Sequence, residues 1–212
     1  AAVSASDAGM SVILLEKRPS PGGTSVFTDG LLAAESPVQR RMGIAALKDD
    51  VFKTAMDYSH WKINPRIFRA FIEKSGDTIR WLESLGLKFG SIYSMYPGID
   101  AMTFHSLGIG EKTGLAIIKT LRKHSESLGV KVLLNCPAKK ILTGDDGEIT
   151  GVLADRDSKE CKIAAKSVII AAGGYSANKK LLKKYYPDYD ENIAFLGAPN
   201  TGDGLLMATE AG

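Results

Sequence analysis

The hydrophobic pattern at the start of the chain predicts a short helix followed by a strand. Small residues at helical spacing occupy positions 1–8 and end at Gly9, which is typical of a helix C-terminus. The next run, 12–15, is continuously apolar, as expected of a parallel strand covered on both faces. It ends in Glu16 and Lys17. This order predicts the second half of a βαβ dinucleotide-binding unit, in which an acidic residue after the second strand accepts hydrogen bonds from the adenosine ribose.

Two later runs, 130–134 and 168–171, are also short and mainly apolar, and only Lys131 interrupts the first of them. At least one helical pattern separates each run from the next, and parallel strands need such a crossover. We therefore expect the three runs to be parallel neighbours in a central sheet. Shorter alternating segments between the last two runs predict a small antiparallel meander, at 140–142, 149–154 and 161–164, with a turn at 144–147.

The remaining periodic segments predict helices. Asn64 is placed to cap a helix whose first residue is Pro65, and a second helix is expected to begin near Asp77. A last helix follows Asp203, its expected cap, and ends at Gly212. The predicted fold class is α/β, with a Rossmann-like parallel sheet, a helical insertion and a small antiparallel β-meander.

Composition narrows the classes of protein that fit. The chain has 212 residues, of which 44% are hydrophobic and 24% charged, so it can bury a core and is not disordered. Its positive and negative charges nearly cancel, with a net charge of +3, and this does not favour nucleic acid as a partner. No apolar run approaches the roughly 20 residues of a membrane-spanning helix. Cys136 and Cys161 form neither a metal-spaced cluster nor a disulfide framework, so we expect no metal site.

Glycine carries the strongest signal for a binding site. The chain contains 22 glycines, and many of them stand in pairs or beside acidic residues. Glycine lets a backbone approach a ligand closely, although a surface turn needs it as well. Three glycine-rich turns accompany the predicted buried elements: 21–30, 171–174 and 200–204.

These motifs occur in a recognisable order. Leu-Glu-Lys at 15–17, Pro-Gly-Gly-Thr-Ser at 21–25, Ile-Ile-Ala-Ala-Gly-Gly-Tyr at 169–175 and Asn-Thr-Gly-Asp-Gly at 200–204 follow one another. The order resembles the FAD-binding domain of the fumarate reductase and succinate dehydrogenase flavoprotein family, especially its flavocytochrome-like and ketosteroid-dehydrogenase-like branch. The resemblance covers nearly the whole chain. It implies that residues 1–212 are one FAD-binding domain, incomplete because the family's first strand and glycine fingerprint would precede Ala1 and its capping domain would follow Gly212.

The resemblance also implies an FAD site made from strand ends and glycine-rich turns. Each part of the cofactor has its own expected contacts. The implied residues are Glu16, with Lys17 beside it, at the adenosine ribose; Gly22, Gly23, Thr24 and Ser25 around the pyrophosphate and ribityl chain; Asp29 and Gly30 near the isoalloxazine; Ala138 at the adenine; Ala171, Ala172 and Gly173 beneath the dinucleotide; and Asp203 in the last turn.

The chain departs from the family at two informative places. Members that bind FAD covalently carry a histidine where this chain has Thr24, so the resemblance implies noncovalent FAD. The family's His-Arg-Pro-Thr-Gly-Gly segment corresponds to 105–110, which keeps the histidine but not the Arg-Pro. His105 either lines the flavin or is a solvated or structural loop residue. The family's catalytic groups would follow Gly212, so we expect no catalytic residue within the chain.

The implied function is that of the FAD-binding portion of an oxidoreductase, which transfers a hydride between FAD and an activated carbon–carbon bond of a small acid or related alkene. The implied partners are that small-molecule substrate and an electron donor. The alternative is a folded, nonenzymatic fragment that holds no flavin. A pyridine-nucleotide-disulfide flavoenzyme is disfavoured because Cys136 and Cys161 are far apart in sequence. The small number of cysteines fits a cytoplasmic protein slightly better than a periplasmic one.

Overall fold

The structure, a computed structural model, describes residues 1–94, 101–108, 110–193 and 200–212. These residues form two compact units: the first comprises Ala1–Thr24 and Lys123–Gly212, and the second comprises Ser25–Arg122. In chain order the elements are α1 Ala2–Asp7, β1 Ile13–Leu15, a 3₁₀ turn Gly23–Phe27, β2 Leu31–Leu32, α2 Pro37–Arg41, α3 Lys48–Tyr58, α4 Pro65–Ser84, β3 Ser91–Ser94, β4 Thr103–Ser106, α5 Thr113–Ser127, β5 Lys131–Leu133, β6 Ala138–Thr143, β7 Ile149–Arg156, β8 Lys159–Ala164, α6 Lys179–Tyr185 and α7 Asp203–Ala211.

The first unit contains the predicted parallel pairing of β1 with β5. Ile13 lies opposite Lys131, and Leu15 lies opposite Leu133. The pairing of the apolar runs 12–15 and 130–134 is therefore confirmed. The expectation that β1 is covered on both faces is wrong for the described residues, because the Ile13 side chain is 44% exposed. Leu14 and Leu15 are only partly buried.

The predicted third parallel strand, 168–171, is not a strand in the described structure. A strand exists only where a neighbour supplies ladder hydrogen bonds, and no described strand lies beside this segment. Ile169 and Ile170 are 66% and 42% exposed. Packing against the start of α7 holds the segment instead: a Cβ on Gly204 would lie 2.6 Å from Ile170 Cγ2.

The predicted meander is confirmed in the first unit. Strands β6, β7 and β8 are antiparallel and follow one another in the sheet. The turn 144–147 joins β6 to β7, and Gly147 takes the left-handed conformation there, with φ of +84°. Ile141, Val152 and Met207 are buried, so the meander and α7 share a small apolar core.

The second unit is built around α4, which is one continuous helix. Asn64 caps it as predicted, because its side-chain oxygen accepts from the backbone of Arg66 at 3.0 Å. The prediction of a separate helix beginning near Asp77 is wrong. Gly76 lies buried within α4, where a Cβ would come within 2.6 Å of Ala34 O. This glycine permits close packing of a helix on a backbone segment.

The second unit also contains a three-stranded antiparallel sheet that the pattern did not predict. Its order is β2-β4-β3. Its strands are only two to four residues long and include buried polar residues, so they lack a clear alternation. The main apolar cluster of this unit joins the sheet to α2, α4 and α5, through Ala33, Val38, Ile79, Leu82, Leu87, Phe89 and Ile117. Across the described ranges, no helix combines the length and apolar character needed to cross a membrane.

Candidate functional site

In the first unit, the structure brings the predicted glycine-rich turns together. Gly202 N donates to Gly174 O at 3.1 Å, which joins the turn before α7 to the turn after 168–171. Asn200 Nδ2 donates to Thr24 Oγ1 at 3.1 Å, which adds the turn that follows β1. Gly173 has a φ of +76°, which favours glycine, and a Cβ there would lie 2.8 Å from the side-chain oxygen of Asn200. The three turns are therefore joined by hydrogen bonds.

A cluster of three polar side chains lies at this junction. Lys17 Nζ donates to Thr201 Oγ1 at 2.6 Å and to Asp203 Oδ2 at 2.8 Å. Thr201 Oγ1 in turn donates to Asp203 Oδ1 at 2.7 Å. We call Lys17, Thr201 and Asp203 the ion cluster. The side chains of Lys17 and Asp203 are 34% and 38% exposed, so the cluster remains accessible to a solute.

The start of α7 differs from the prediction in its cap. Gly202 is the N-cap, with φ of +84°, and Asp203 is the first helical residue. A Cβ on Gly202 would collide with Leu181 and lie 3.0 Å from Tyr175 Cβ, so both conformation and space require glycine. Asp203 is therefore not the N-cap residue that the sequence predicted, and its two carboxylate oxygens accept from Lys17 and Thr201.

Burial alone would raise the pKa of Asp203, since it disfavours the charged form. Hydrogen bonds from Lys17 and Thr201, together with the positive charge of Lys17, outweigh burial and lower the pKa below its usual value. Asp203 is therefore a carboxylate at neutral pH, and it is paired with a cation.

A second feature of the first unit lies where β1 and β5 end. Cys136 N donates to Glu16 O at 2.9 Å, and Asn135 N donates to Arg18 O at 3.1 Å. These bonds place Ala138, the first residue of β6, near the end of β1. Glu16 Oε1 accepts from Arg18 N at 2.8 Å, and within the described residues no donor meets the other carboxylate oxygen, Oε2. Glu16 thus keeps an acceptor available.

These features fit the adenosine and pyrophosphate parts of a dinucleotide. The free oxygen of Glu16 suits a ribose hydroxyl. Ala171, Ala172 and Gly173 are exposed, and their backbone N–H groups bind no acceptor in the described parts of the chain, so they are available to phosphate oxygens. A Cβ on Gly23, where φ is +51°, would have no described atom within 4 Å, so this turn presents open backbone.

The other predicted site residues lie in the second unit. Ser25 and Asp29 are exposed. Gly30 is packed against the protein itself: a Cβ there would lie 2.8 Å from Tyr93 Oη and 3.1 Å from Phe104 Cβ. The glycine is needed for the contact with β3 and β4. A cofactor contact for Ser25, Asp29 and Gly30 stays a prediction.

Comparison with known proteins agrees with these features. A family profile described as "FAD binding domain" matches residues 1–212. The chain belongs to the FAD-binding domain family. FAD is therefore its cofactor, and the predicted family and α/β fold class are confirmed.

Curated relatives of this FAD-binding domain are reductases. It is 34% identical to a vinyl phenol reductase of Lactiplantibacillus plantarum, over 100% of the chain and 43% of the relative. It is 32% identical to an NADH:fumarate oxidoreductase of Klebsiella pneumoniae, over 100% of the chain and 23% of the relative. A solved flavocytochrome c3 fumarate reductase in an open conformation is 30% identical with a TM-score of 0.89, over 100% of the chain and 38% of that structure. The chain thus spans less than half the length of each.

The second unit of this FAD-binding domain contains a buried histidine that sequence reasoning assigned to a loop. His105 lies in β4 and is fully buried. Its Nδ1 bonds to Leu31 O at 3.1 Å, and because a carbonyl oxygen only accepts, Nδ1 carries the proton. Its Nε2 therefore accepts from Ser36 Oγ at 2.6 Å. Burial lowers the pKa of His105, so the ring is neutral at neutral pH.

Further bonds complete a closed arrangement around His105. Ser36 Oγ accepts from Gln39 N at 3.0 Å, and Gln39 Oε1 accepts from Ser36 N at 2.7 Å, which is a capping box at α2. Gln39 Nε2 donates to Thr103 Oγ1 at 2.7 Å. We call Ser36, Gln39, Thr103 and His105 the buried network. The Ser-x-x-Gln spacing was the signal that could have located it. The segment 105–110, which the resemblance singled out, also contains Ile109, and that residue lies outside the described residues.

Proposed function

We propose that this FAD-binding domain serves a flavin-dependent oxidoreductase of the fumarate reductase type. FAD, when bound, supplies hydride transfer to or from an activated carbon–carbon bond of a small acid or related alkene. The names of the relatives support this class of reaction, since they include fumarate, vinyl phenol and urocanate reductases. The observation that carries the proposal is the convergence of the turns at Gly23, Gly173 and Gly202 beside the ion cluster.

The residues of the first unit divide the binding of FAD between them. Glu16 accepts hydrogen bonds from the adenosine ribose, and Ala138 lies against the adenine. Exposed backbone N–H groups of 171–173 bind phosphate oxygens, and the open turn at Gly22 and Gly23 lets the pyrophosphate approach the backbone. Among the described residues, Glu16 Oε2 and the backbone amides of 171–173 have no protein partner, which supports these assignments.

We propose that FAD is held without a covalent bond. Thr24 stands where covalently flavinylated members of the resembled family have a histidine. A threonine hydroxyl offers no imidazole nitrogen for attachment, and Thr24 Oγ1 already accepts a hydrogen bond from Asn200. Flavin should therefore leave the protein on acid or heat denaturation.

We also propose that the catalytic acid, the substrate-binding groups and the contact with an electron donor come from polypeptide outside these 212 residues. The chain spans 43% and 23% of two reductases that it matches over its whole length, which supports this division. We expect the chain alone to bind FAD weakly and to show no turnover of fumarate.

A titration of the purified chain tests the proposal. FAD fluorescence is followed as protein is added, and riboflavin, which lacks the adenosine and pyrophosphate, is the matched control ligand. Saturable binding of FAD that is much tighter than that of riboflavin, with all flavin released by acid, is the expected result. Equal binding of the two ligands, or none, would favour a folded fragment that holds no flavin.

A further inference from the structure

We propose that Lys17 is a positioning residue that acts as the fixed counter-ion of Asp203, and that this pairing lets a site with two carboxylates accept the dianionic pyrophosphate of FAD. The inference rests on the proposed function. It assigns Lys17 a role other than direct contact with a phosphate, which is the simpler expectation for a lysine beside a dinucleotide.

The bonds of the ion cluster leave Lys17 little freedom to contact a ligand. Two of the three ammonium protons are used, one on Thr201 Oγ1 at 2.6 Å and one on Asp203 Oδ2 at 2.8 Å. Thr201 then donates its own proton to Asp203 Oδ1 at 2.7 Å, which closes a ring of three hydrogen bonds. Only the third ammonium proton is left for a ligand, and moving the ammonium toward a phosphate would strain or break its two bonds in this ring.

The ring is also attached to the surrounding backbone. Asn178 Nδ2 donates to Thr201 O at 2.8 Å, while its Oδ1 caps α6 by accepting from Leu181 N. Gly202 N donates to Gly174 O at 3.1 Å. Thr201 and Asp203 are therefore held from two sides, and Lys17 is oriented by groups that do not move independently.

The charges explain why a counter-ion is needed. Glu16 and Asp203 each carry a negative charge in the first unit, and a pyrophosphate adds about two more. With Lys17 in place, the ion cluster has no net charge. Without it, Asp203 becomes an uncompensated carboxylate in the same site. Because Lys17 and Asp203 are 34% and 38% exposed, solvent screens this effect and limits its size.

Arg18 provides a matched control within the chain. It carries the same charge one residue later, and its side chain makes no hydrogen bond or ion pair within the residues that the structure describes. If the general positive charge of this segment attracted FAD, then Arg18→Met and Lys17→Met would have similar effects. A fixed pairing with Asp203 predicts an effect of Lys17→Met alone.

A double-mutant cycle on FAD affinity tests the pairing. Lys17→Met should weaken FAD binding about tenfold in the wild-type background, because Asp203 then repels the pyrophosphate as an uncompensated charge in a partly solvated site. In the Asp203→Asn background, the same change should cost less than about threefold, because the uncompensated carboxylate is gone. Lys17→Met should also weaken ADP but not adenosine, which has no pyrophosphate. Equal losses in both backgrounds would mean direct phosphate contact and overturn the proposal.

A second measurement does not depend on FAD. The carboxyl carbon of Asp203 is titrated by NMR in the wild-type chain, in Lys17→Met and in Arg18→Met. Loss of the counter-ion should raise the pKa of Asp203, whereas Arg18→Met should leave it near the wild-type value. An unchanged pKa in Lys17→Met overturns the pairing. A wild-type chain that binds no FAD would instead contradict the proposed function, and the titration would still decide the role of Lys17.

Discussion

The ion cluster of the first unit and the buried network of the second use similar hydrogen-bonding groups in opposite surroundings. In the ion cluster, Lys17 and Asp203 are charged and about one-third exposed. In the buried network, Ser36, Gln39 and His105 are almost completely buried and none of them is charged at neutral pH. No buried side-chain polar atom among the described residues lacks a hydrogen-bond partner.

This difference separates structural from functional roles. A buried network must be complete and neutral, because an unpaired polar group or a charge in an apolar interior is costly. It therefore stabilises one arrangement of β2, α2 and β4 but offers nothing to a ligand. The ion cluster, which is about one-third exposed, contributes less to stability than the buried network does. Its charges remain available to influence a bound anion. Substitutions in the two places should consequently affect different properties.

The largest effect is expected at His105. Replacement by alanine removes a fully buried ring, takes away the ring's hydrogen bonds to Leu31 O and the Ser36 hydroxyl, and opens a cavity beside Phe89, whose ring centroid is 6.0 Å from that of His105. We expect a loss of about 3–5 kcal/mol in the free energy of unfolding, measured by urea denaturation. His60→Asn, at an exposed position, should change it by less than about 0.5 kcal/mol. A loss below about 1 kcal/mol at His105 would remove the distinction between the two regions.

The next effect concerns binding rather than stability. Glu16→Ala removes the acceptor at the end of β1, and FAD affinity should fall by about 1.5–3 kcal/mol for each charged hydrogen bond lost. Thermal unfolding of the chain without cofactor should change little, since the Glu16 side chain bonds only to Arg18 N within the described residues. An unchanged dissociation constant in a fluorescence titration would show that Glu16 is merely a solvated strand end.

The outcome at these two sites shows what the sequence could reveal. The apolar runs predicted β1, β5 and their parallel pairing, because short mainly apolar runs and the helical patterns between them can be read from the sequence. The run 168–171 has the same character but is no strand, because a strand is defined by its neighbour as well as by its residues. The buried network escaped prediction for a related reason. His105 occupies a four-residue strand, and its burial depends on partners 74 and 69 positions away.

Only part of the candidate site could be predicted, because some of its contacts join residues far apart in the sequence. Turn glycines and the Glu-Lys pair are visible in sequence, and the structure joins Gly173, Gly202 and Thr24 as expected of one site. The pairing of Lys17 with Asp203 spans 186 positions and could not be read from spacing. Asp203 was expected to cap α7, and only its contacts show that the carboxylate is engaged elsewhere.

A smaller effect follows from the lowered pKa of His105. The unfolded chain binds a proton at this histidine near its ordinary pKa of 6.5, whereas the folded chain binds one only at lower pH because the ring is buried. Stability should therefore be highest above about pH 6.5 and should fall as the pH decreases toward the folded-state pKa, by about 1.4 kcal/mol for each unit of difference. Urea denaturation between pH 7.5 and pH 5 measures the slope. His105→Asn, which does not titrate, should flatten it in this window.

A small effect on stability is also expected at Lys17, although this substitution should weaken FAD binding. The Lys17 to Asp203 ion pair is about one-third exposed, and such pairs contribute about 0.2–1 kcal/mol. Lys17→Met should therefore lower the free energy of unfolding by no more than about 1 kcal/mol, and high salt should reduce the difference further. The folded pKa of Asp203 lies below its ordinary value, so this contribution is present above pH 3.8 and is lost as the pH falls through the folded pKa. A loss at pH 7 as large as that of His105→Ala would show that the ion cluster is a structural element like the buried network, and that its accessible charges are not reserved for a ligand.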